Sequence, residues 1–175
     1  MAIERSKRRL GASRLQRTAR SLLDASPLCA IATVSPSGRA HVNTAYFAWN
    51  AELELFWSSD SRARHSENIA ANGSAAIAVY DSRQRWGGGD CGIQLFGTAR
   101  GLTGAAAAEA ESVYARHFAE FEPGDLAGYR FYRFRPIRVK LFDEGELGAG
   151  VFVTARRAAG GRLVWERTEI HSAAA

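Results

Sequence analysis

Leu53–Asp81, LELFWSSDSRARHSENIAANGSAAIAVYD, reads as strand, polar loop, short helix and strand, and the rest of the chain is organised around it. The apolar run Leu53, Leu55, Phe56, Trp57 ends in Ser58 and Ser59, and a cationic knot of Arg62, Arg64 and His65 follows. Asn68, Ile69 and Ala70 continue a helical register from about Ala63, Asn72-Gly73 stops it, and Ala75–Tyr80 resumes as a strand. Two hydroxyls at a strand end, then guanidinium and imidazole donors where a helix begins, suit a phosphate. The first turn of a helix offers unpaired N–H groups and a partial positive charge. Arginine adds a planar fork of charge-assisted donors, each bond worth roughly 1.5–3 kcal/mol. Taken alone, the same residues would serve equally as a solvated loop.

Upstream, Leu15, Ala19, Leu22 and Leu23 form one apolar stripe at helical spacing opposite arginines. The pattern predicts a helix from about Gly11 to Ala25, ended before Pro27. Leu28–Val34 (LCAIATV) predicts a strand, Ser35-Pro36-Ser37-Gly38 a turn, and Arg39–Trp49 a second strand leading through Asn50-Ala51-Glu52 into the third. Two hairpins in succession argue for antiparallel β structure.

Downstream, Ser82–Asp90 predicts a loop carrying Arg83, Arg85, Trp86 and three glycines. Cys91–Leu102 predicts a strand in which Gly97 marks a bulge or the close approach of another group. A helix opens at Thr103 or Gly104, and Glu122–Asp125 breaks it. Tyr129–Arg135 (YRFYRFR) is dense in aromatics and arginines, apolar enough to predict a subunit interface. Pro136 then starts a separate strand, Ile137–Phe142, with weaker ones at Val151–Thr154 and Arg162–Arg167 and a hairpin turn at Ala158–Gly161. Six or more short strands with two or three helices predict an α+β barrel or sandwich.

At 175 residues and 19.0 kDa the chain is sized for one domain with a real core. Residues 1–10 read as a basic tail, 11–171 as the domain and 172–175 as a frayed end. The net charge is +5, and Arg5, Lys7, Arg8, Arg9, Arg14, Arg17 and Arg20 face only Glu4 and Asp24 near the front. No aromatics interleave these arginines, so a solvated helix face is expected and nucleic acid is not. No apolar run approaches the ~18 residues of a membrane span. Cys29 and Cys91 are too few for a disulfide scaffold and read as buried thiols of a cytoplasmic protein. Gly87-Gly88-Gly89 lacks dinucleotide-binding spacing, the cysteines and histidines lack zinc-ligand spacing, and no G-x-S-x-G elbow is present.

Taken in order, LCAIATVSPSGRAHVNTAYFAW, LFWSSDSRARHSENIAANGSAAIAVYD and GIQLFGTARGL, with YRFYRFRPIRVKLFDE behind them, resemble the pyridoxamine 5′-phosphate oxidase-like, FMN-binding split-barrel family. The resemblance implies an α+β, mostly β split barrel of about six to eight antiparallel strands with two to three flanking helices. It also implies a homodimer binding FMN in a groove between subunits. The strand His41–Tyr46 would run along the flavin, with His41, Val42, Asn43 and Thr44 beside it and Asn43 and Thr44 hydrogen-bonding the ring or ribityl chain. Trp57 and Ser58, with Ser59, would form the aromatic–hydroxyl strand end. Arg64 and His65 match two adjacent cations on the FMN phosphate, and Gln94 a glutamine that meets the flavin.

Histidine in place of a lysine would make phosphate affinity depend on pH, since histidine titrates near 6.5. Tyr46 and Trp86 are expected at the substrate wall. The implied activity is flavin-dependent oxidation or reduction of a small molecule. A deazaflavin-dependent reductase, or a non-catalytic flavin- or haem-binding protein, is the alternative. The chain has Arg167 and His171 but ends in His171-Ser172-Ala173-Ala174-Ala175, where the true oxidase carries a final R-L-x-P, so a substrate other than vitamin B6 phosphate is expected.

Overall fold

The computed structural model describes residues 2–122, 124 and 128–172. The elements run β1 (Ala2–Ser6), α1 (Ala12–Asp24), β2 (Leu28–Val34), β3 (Ala40–Tyr46), β4 (Ala48–Trp49), β5 (Leu55–Ser59), α2 (Arg64–Ala71) and β6 (Ser74–Val79). They continue with β7 (Cys91–Gly101), α3 (Gly104–His117), β8 (Arg130–Asp143), α4 (Glu144–Leu147), β9 (Val151–Arg157), a 3-10 turn (Ala159–Gly161) and β10 (Leu163–Ser172). The pairings are antiparallel. The chain forms two compact units, Met1–Ser26 with Ala78–Leu95 and Ile137–Ala175, and Pro27–Ile77 with Phe96–Pro136. Strands β6, β7 and β8 run from one into the other.

In the first unit the strand order is β1-β10-β9-β8. The apolar stripe of α1 is buried as its spacing predicts, with Leu15, Ala19, Leu22 and Leu23 at most 2% exposed, and the helix packs on β10. The expectation of a basic amino-terminal tail is corrected here. Ala2–Ser6 pairs with β10 from Ala2↔Ser172 to Ser6↔Thr168, which satisfies backbone groups a tail would leave to water. The arginines behind it are also engaged. Arg8 donates to the Leu147 carbonyl at 2.6 Å, Arg9 lies 5.0 Å over the Trp165 ring, and Arg14 donates to the Glu146 carbonyl. Ser172 ends β10, and the remainder of the expected frayed end lies outside the described residues.

In the second unit β6-β2-β3 are neighbours, β5 joins β4 to β8, and β7 lies beside β8. The predicted second strand is divided after Phe47, whose N–H bonds the Pro27 carbonyl at the end of the β2–β3 register, and Ala48-Trp49 then pairs with β5 as β4. With β1, this raises the strand count among the described residues to ten. α3 covers one face, packing Ala110, Val113 and Tyr114 on Ala48, Phe56, Leu102 and Phe131.

Two further expectations are corrected on β8. Pro136 does not start a strand but lies inside a 14-residue one. On one side of β8 the partner is β5 as far as Phe134 and β9 from Arg138 onward, so Pro136 falls where no ladder donor is needed on that side. The aromatics of Tyr129–Phe134, expected to be free for a subunit interface, are mostly packed within their own chain, with Tyr129 56% exposed. Phe131, Tyr132 and Phe134 are 9%, 3% and 0% exposed within their own chain, because β8 is sandwiched between β5 and β7. Gly97 does mark a close approach, since a Cβ there would lie 2.1 Å from the Arg135 carbonyl oxygen.

Candidate functional site

Cross-strand register decides which expected site residues share a face. On β3, His41 and Asn43 stand opposite Thr33 and Ile31, both buried, so they point inward. Val42 and Thr44 point the other way with Tyr46. Val42 is 65% and Tyr46 57% exposed, and Phe118 touches the Tyr46 ring edge-on. The expected row His41–Thr44 therefore divides into an inner pair and an outer pair.

Helix α2 supplies the floor of the inner face. Asn68 donates to Thr33 Oγ1 at 3.0 Å, a buried bond that ties α2 to β2. One turn earlier, His65 is 7% exposed and its ring meets the edge of Tyr132, 6.3 Å away. Tyr132 in turn stacks on Trp57, with centroids 5.5 Å apart and planes 13° from parallel. Burial, aided by the neighbouring charge of His41, holds the His65 imidazole below its ordinary value. In the ligand-free protein this favours the neutral ring of His65.

Polar atoms on this face lack partners. Asn43 Oδ1, Trp57 Nε1 and His65 Nε2 are buried and make no hydrogen bond among the described residues. An unmatched buried group costs about 1–3 kcal/mol. Trp57 and His65 both adjoin Tyr132, and with Asn43 on the inner face of β3 the three offer an acceptor, an obligate donor and a two-way imidazole nitrogen, groups of the kind that meet a flat ligand rich in nitrogen and oxygen. Ser58 Oγ is also buried without a partner among the described residues. Strand alternation turns it to the opposite face, with Phe56, so the structure separates it from Trp57.

The predicted phosphate end is partly assembled. Arg62 is not available, because it grips Asp60 at 3.1 Å within its own turn. Arg64 opens α2, is exposed and makes no ion pair among the described residues. The helix has no side-chain cap at Ala63, which leaves its first-turn N–H groups for an anion. Ser59 shares the Trp57 face at the end of β5. Gln94 is exposed on the part of β7 belonging to the first unit, and Trp86 is fully exposed in the loop before that strand. The residue sequence reasoning missed is Tyr132. Alternation within YRFYRFR carried the signal, since it sets Tyr132 and Phe134 on one face and Arg133 and Arg135 on the other.

Among the described residues, no helix is long and apolar enough to cross a membrane. Cys29 is a buried free thiol pushed up to about 12 by burial, and Cys91 is half-buried.

Comparison with known proteins agrees with this fold. No curated protein matches the sequence. Among solved structures, a haem-binding protein from Mycobacterium smegmatis superposes with a TM-score of 0.64 at 17% identity, over 85% of this chain and 59% of its own. A pyridoxamine 5′-phosphate oxidase-related, FMN-binding protein from Nostoc punctiforme gives 0.59 at 17% identity, over 89% and 93%. An F420 reductase gives 0.53 at 24% identity, over 69% and 94%. The sequence profile described as pyridoxamine 5′-phosphate oxidase matches residues 15–143, well over half of the chain. The chain therefore belongs to the pyridoxamine 5′-phosphate oxidase-like family, and its fold is of that family's split-barrel type.

Proposed function

We propose that the protein binds FMN on the inner face of its second unit and is an FMN-dependent oxidoreductase acting on a small molecule. The observation that carries this reading is the run of unpartnered buried atoms, Asn43 Oδ1, Trp57 Nε1 and His65 Nε2. Their mixture of donor and acceptor matches the heteroatoms of an isoalloxazine ring. Arg64 and the uncapped start of α2 would hold the phosphate, with the Ser59 hydroxyl at the adjoining strand end. Bound there, FMN would supply hydride chemistry at its ring, and the protein would supply binding, orientation and exclusion of water. Tyr46 remains the proposed substrate wall.

The working unit of this reading is a homodimer. Leu28, Val34, Val42 and Tyr46 are 43%, 38%, 65% and 57% exposed and share the outer face of β2–β3, an apolar surface suited to a second copy. Two free thiols suit the cytoplasm. One observation favours a second reading, because a neutral, buried imidazole with a free Nε2 could also ligate haem iron.

The visible spectrum of the purified protein, followed by fluorescence titration with FMN, separates the two. One FMN per chain is expected, and Arg64→Ala should weaken binding about tenfold or more. A Soret band with no flavin uptake, or unchanged affinity in Arg64→Ala, overturns the FMN reading or the phosphate assignment respectively.

A further inference from the structure

On the opposite face of β5 and β8 from Trp57 and Tyr132, the second unit carries a separate cationic groove. Thr98, Ala99, Arg100, Arg133 and Arg135 line about 210 Å³ of space. Arg133 and Arg135 flank Phe134 and alternate with Tyr132, so the groove and the Trp57–Tyr132 stack are on different faces.

One buried carboxylate organises the groove. Glu54, 3% exposed, accepts from Arg135 Nε at 2.7 Å and lies 3.8 Å from Arg133. Its placement is built into the β4–β5 turn. Asn50 Oδ1 accepts the Glu52 and Glu54 N–H groups at 3.0 Å each, Asn50 Nδ2 donates to Glu54 Oε2 at 3.2 Å, and buried Leu53 takes φ +61° to close the loop. A leucine in the left-handed region is strained, so the turn is held by what surrounds it. Burial alone would raise the Glu54 carboxyl, but the Arg135 and Asn50 hydrogen bonds and the two guanidinium charges outweigh it and hold the group below its ordinary value.

The charges do not balance. Arg135 at 2.7 Å matches the single negative charge of Glu54. Arg133, with its side chain 13% exposed, is held at 3.8 Å, beyond hydrogen-bond range, and Arg100 makes no ion pair among the described residues. Three guanidinium groups against one carboxylate leave two net positive charges along a half-open groove that Thr98 also lines. A mere structural ion pair for Glu54 would need one arginine. Pockets that enclose drug-sized ligands hold about 300–1,000 Å³, so this groove takes something smaller.

We infer that this groove binds a dianionic phosphate group, either free phosphate or the phosphate of a small monoester. Planar guanidinium forks match phosphate oxygens, and two net positive charges match a dianion. Glu54 acts as a positioning residue, holding Arg133 and Arg135 ready. The inference rests on the groove alone and does not depend on the FMN reading.

Isothermal titration of the full chain with inorganic phosphate and with phenyl phosphate tests it, using Arg64→Gln to remove the other anion-binding position. Saturable binding is expected to survive in Arg64→Gln and to weaken about tenfold or more in Arg100→Gln, whose exposed side chain can be replaced without disturbing the core. Tighter binding of phenyl phosphate assigns a phosphate monoester, and equal or tighter binding of inorganic phosphate assigns the free ion. Undetectable binding of both probes at ~10 mM, on the scale where Kd of 1 mM is already weak, overturns the inference. So does affinity lost in Arg64→Gln and unchanged in Arg100→Gln.

Discussion

Trp57 and Tyr132 are directly opposed across the β5–β8 ladder, and their rings stack 5.5 Å apart while the indole Nε1 finds no partner. Trp57 is fully buried, so its aromatic body and its N–H have opposite effects on the free protein. The body stabilises the sheet, whereas the unmatched donor costs about 1–3 kcal/mol.

Trp57→Phe separates the two. It removes the donor and part of the ring, so the stability of the flavin-free protein should change by no more than about 1 kcal/mol. FMN affinity should fall about fivefold, the worth of one net hydrogen bond. Thermal melts and flavin-fluorescence titration check both halves. A large loss of melting temperature with unchanged FMN affinity would make Trp57 a packing residue only.

The His65 ring gives a pH signature with a defined sign. Its folded-state value is lowered, first by burial and then by His41, so between that value and about 6.5 the unfolded chain binds more protons. Stability contributed by the neutral ring is therefore complete above pH 6.5 and is lost as pH falls through the folded-state value. Wild-type melting temperature should decline across that window, and His65→Gln should flatten the decline. Because the ring is neutral on both sides of pH 7, FMN affinity should be flat from about pH 7 to 8. A wild-type affinity that falls steeply there, and no longer does in His65→Gln, would restore the charged reading.

How far sequence alone carried the structure depended on the range of each contact. The α1 stripe at Leu15, Ala19, Leu22 and Leu23, and the run Leu28–Val34, are local patterns, and both elements form where their periodicity predicts. β1 was not legible, since AIERS becomes a strand only by meeting residues 168–172 at the far end of the chain. Pro136 misled for a related reason, because its tolerance depends on where β8 changes partners from β5 to β9. At the candidate site, Trp57, Arg64 and His65 were legible as one continuous segment. The neutral state of His65 was not, because it depends on burial beside Tyr132, 67 positions on, as their numbers give.

Gly97 is where the approach of two strands leaves no room for a side chain. A Cβ would sit 2.1 Å from the Arg135 carbonyl oxygen and 2.8 Å from Pro136 Cα, both backbone atoms with little freedom to retreat. Gly97→Ala should destabilise by about 3 kcal/mol or more, at the upper end for overpacking. Chemical denaturation read by tryptophan fluorescence would measure it. A loss under about 1 kcal/mol would mean that β7 and β8 can separate there at little cost.

The outer face of β2–β3 carries the last prediction. In cross-strand register, Leu28 stands opposite Tyr46, Ala30 opposite Thr44, Ala32 opposite Val42 and Val34 opposite Ala40, so a single face gathers mostly apolar side chains. Strand β3 stands last in the order of its sheet, and no residue of β3 is fully buried. A continuous apolar surface of this kind is unfavourable in water and is relieved when a second copy covers it. Light scattering should give about twice the chain mass of 19.0 kDa. Val42→Glu places a charge where Val42 is 65% exposed, so the free chain should tolerate it, while a paired surface would have to desolvate the carboxylate. The variant should therefore run as a folded monomer with an unchanged far-ultraviolet spectrum. If the wild type is already monomeric at micromolar concentration while carrying flavin, or if Val42→Glu stays dimeric, this face is not where two copies meet.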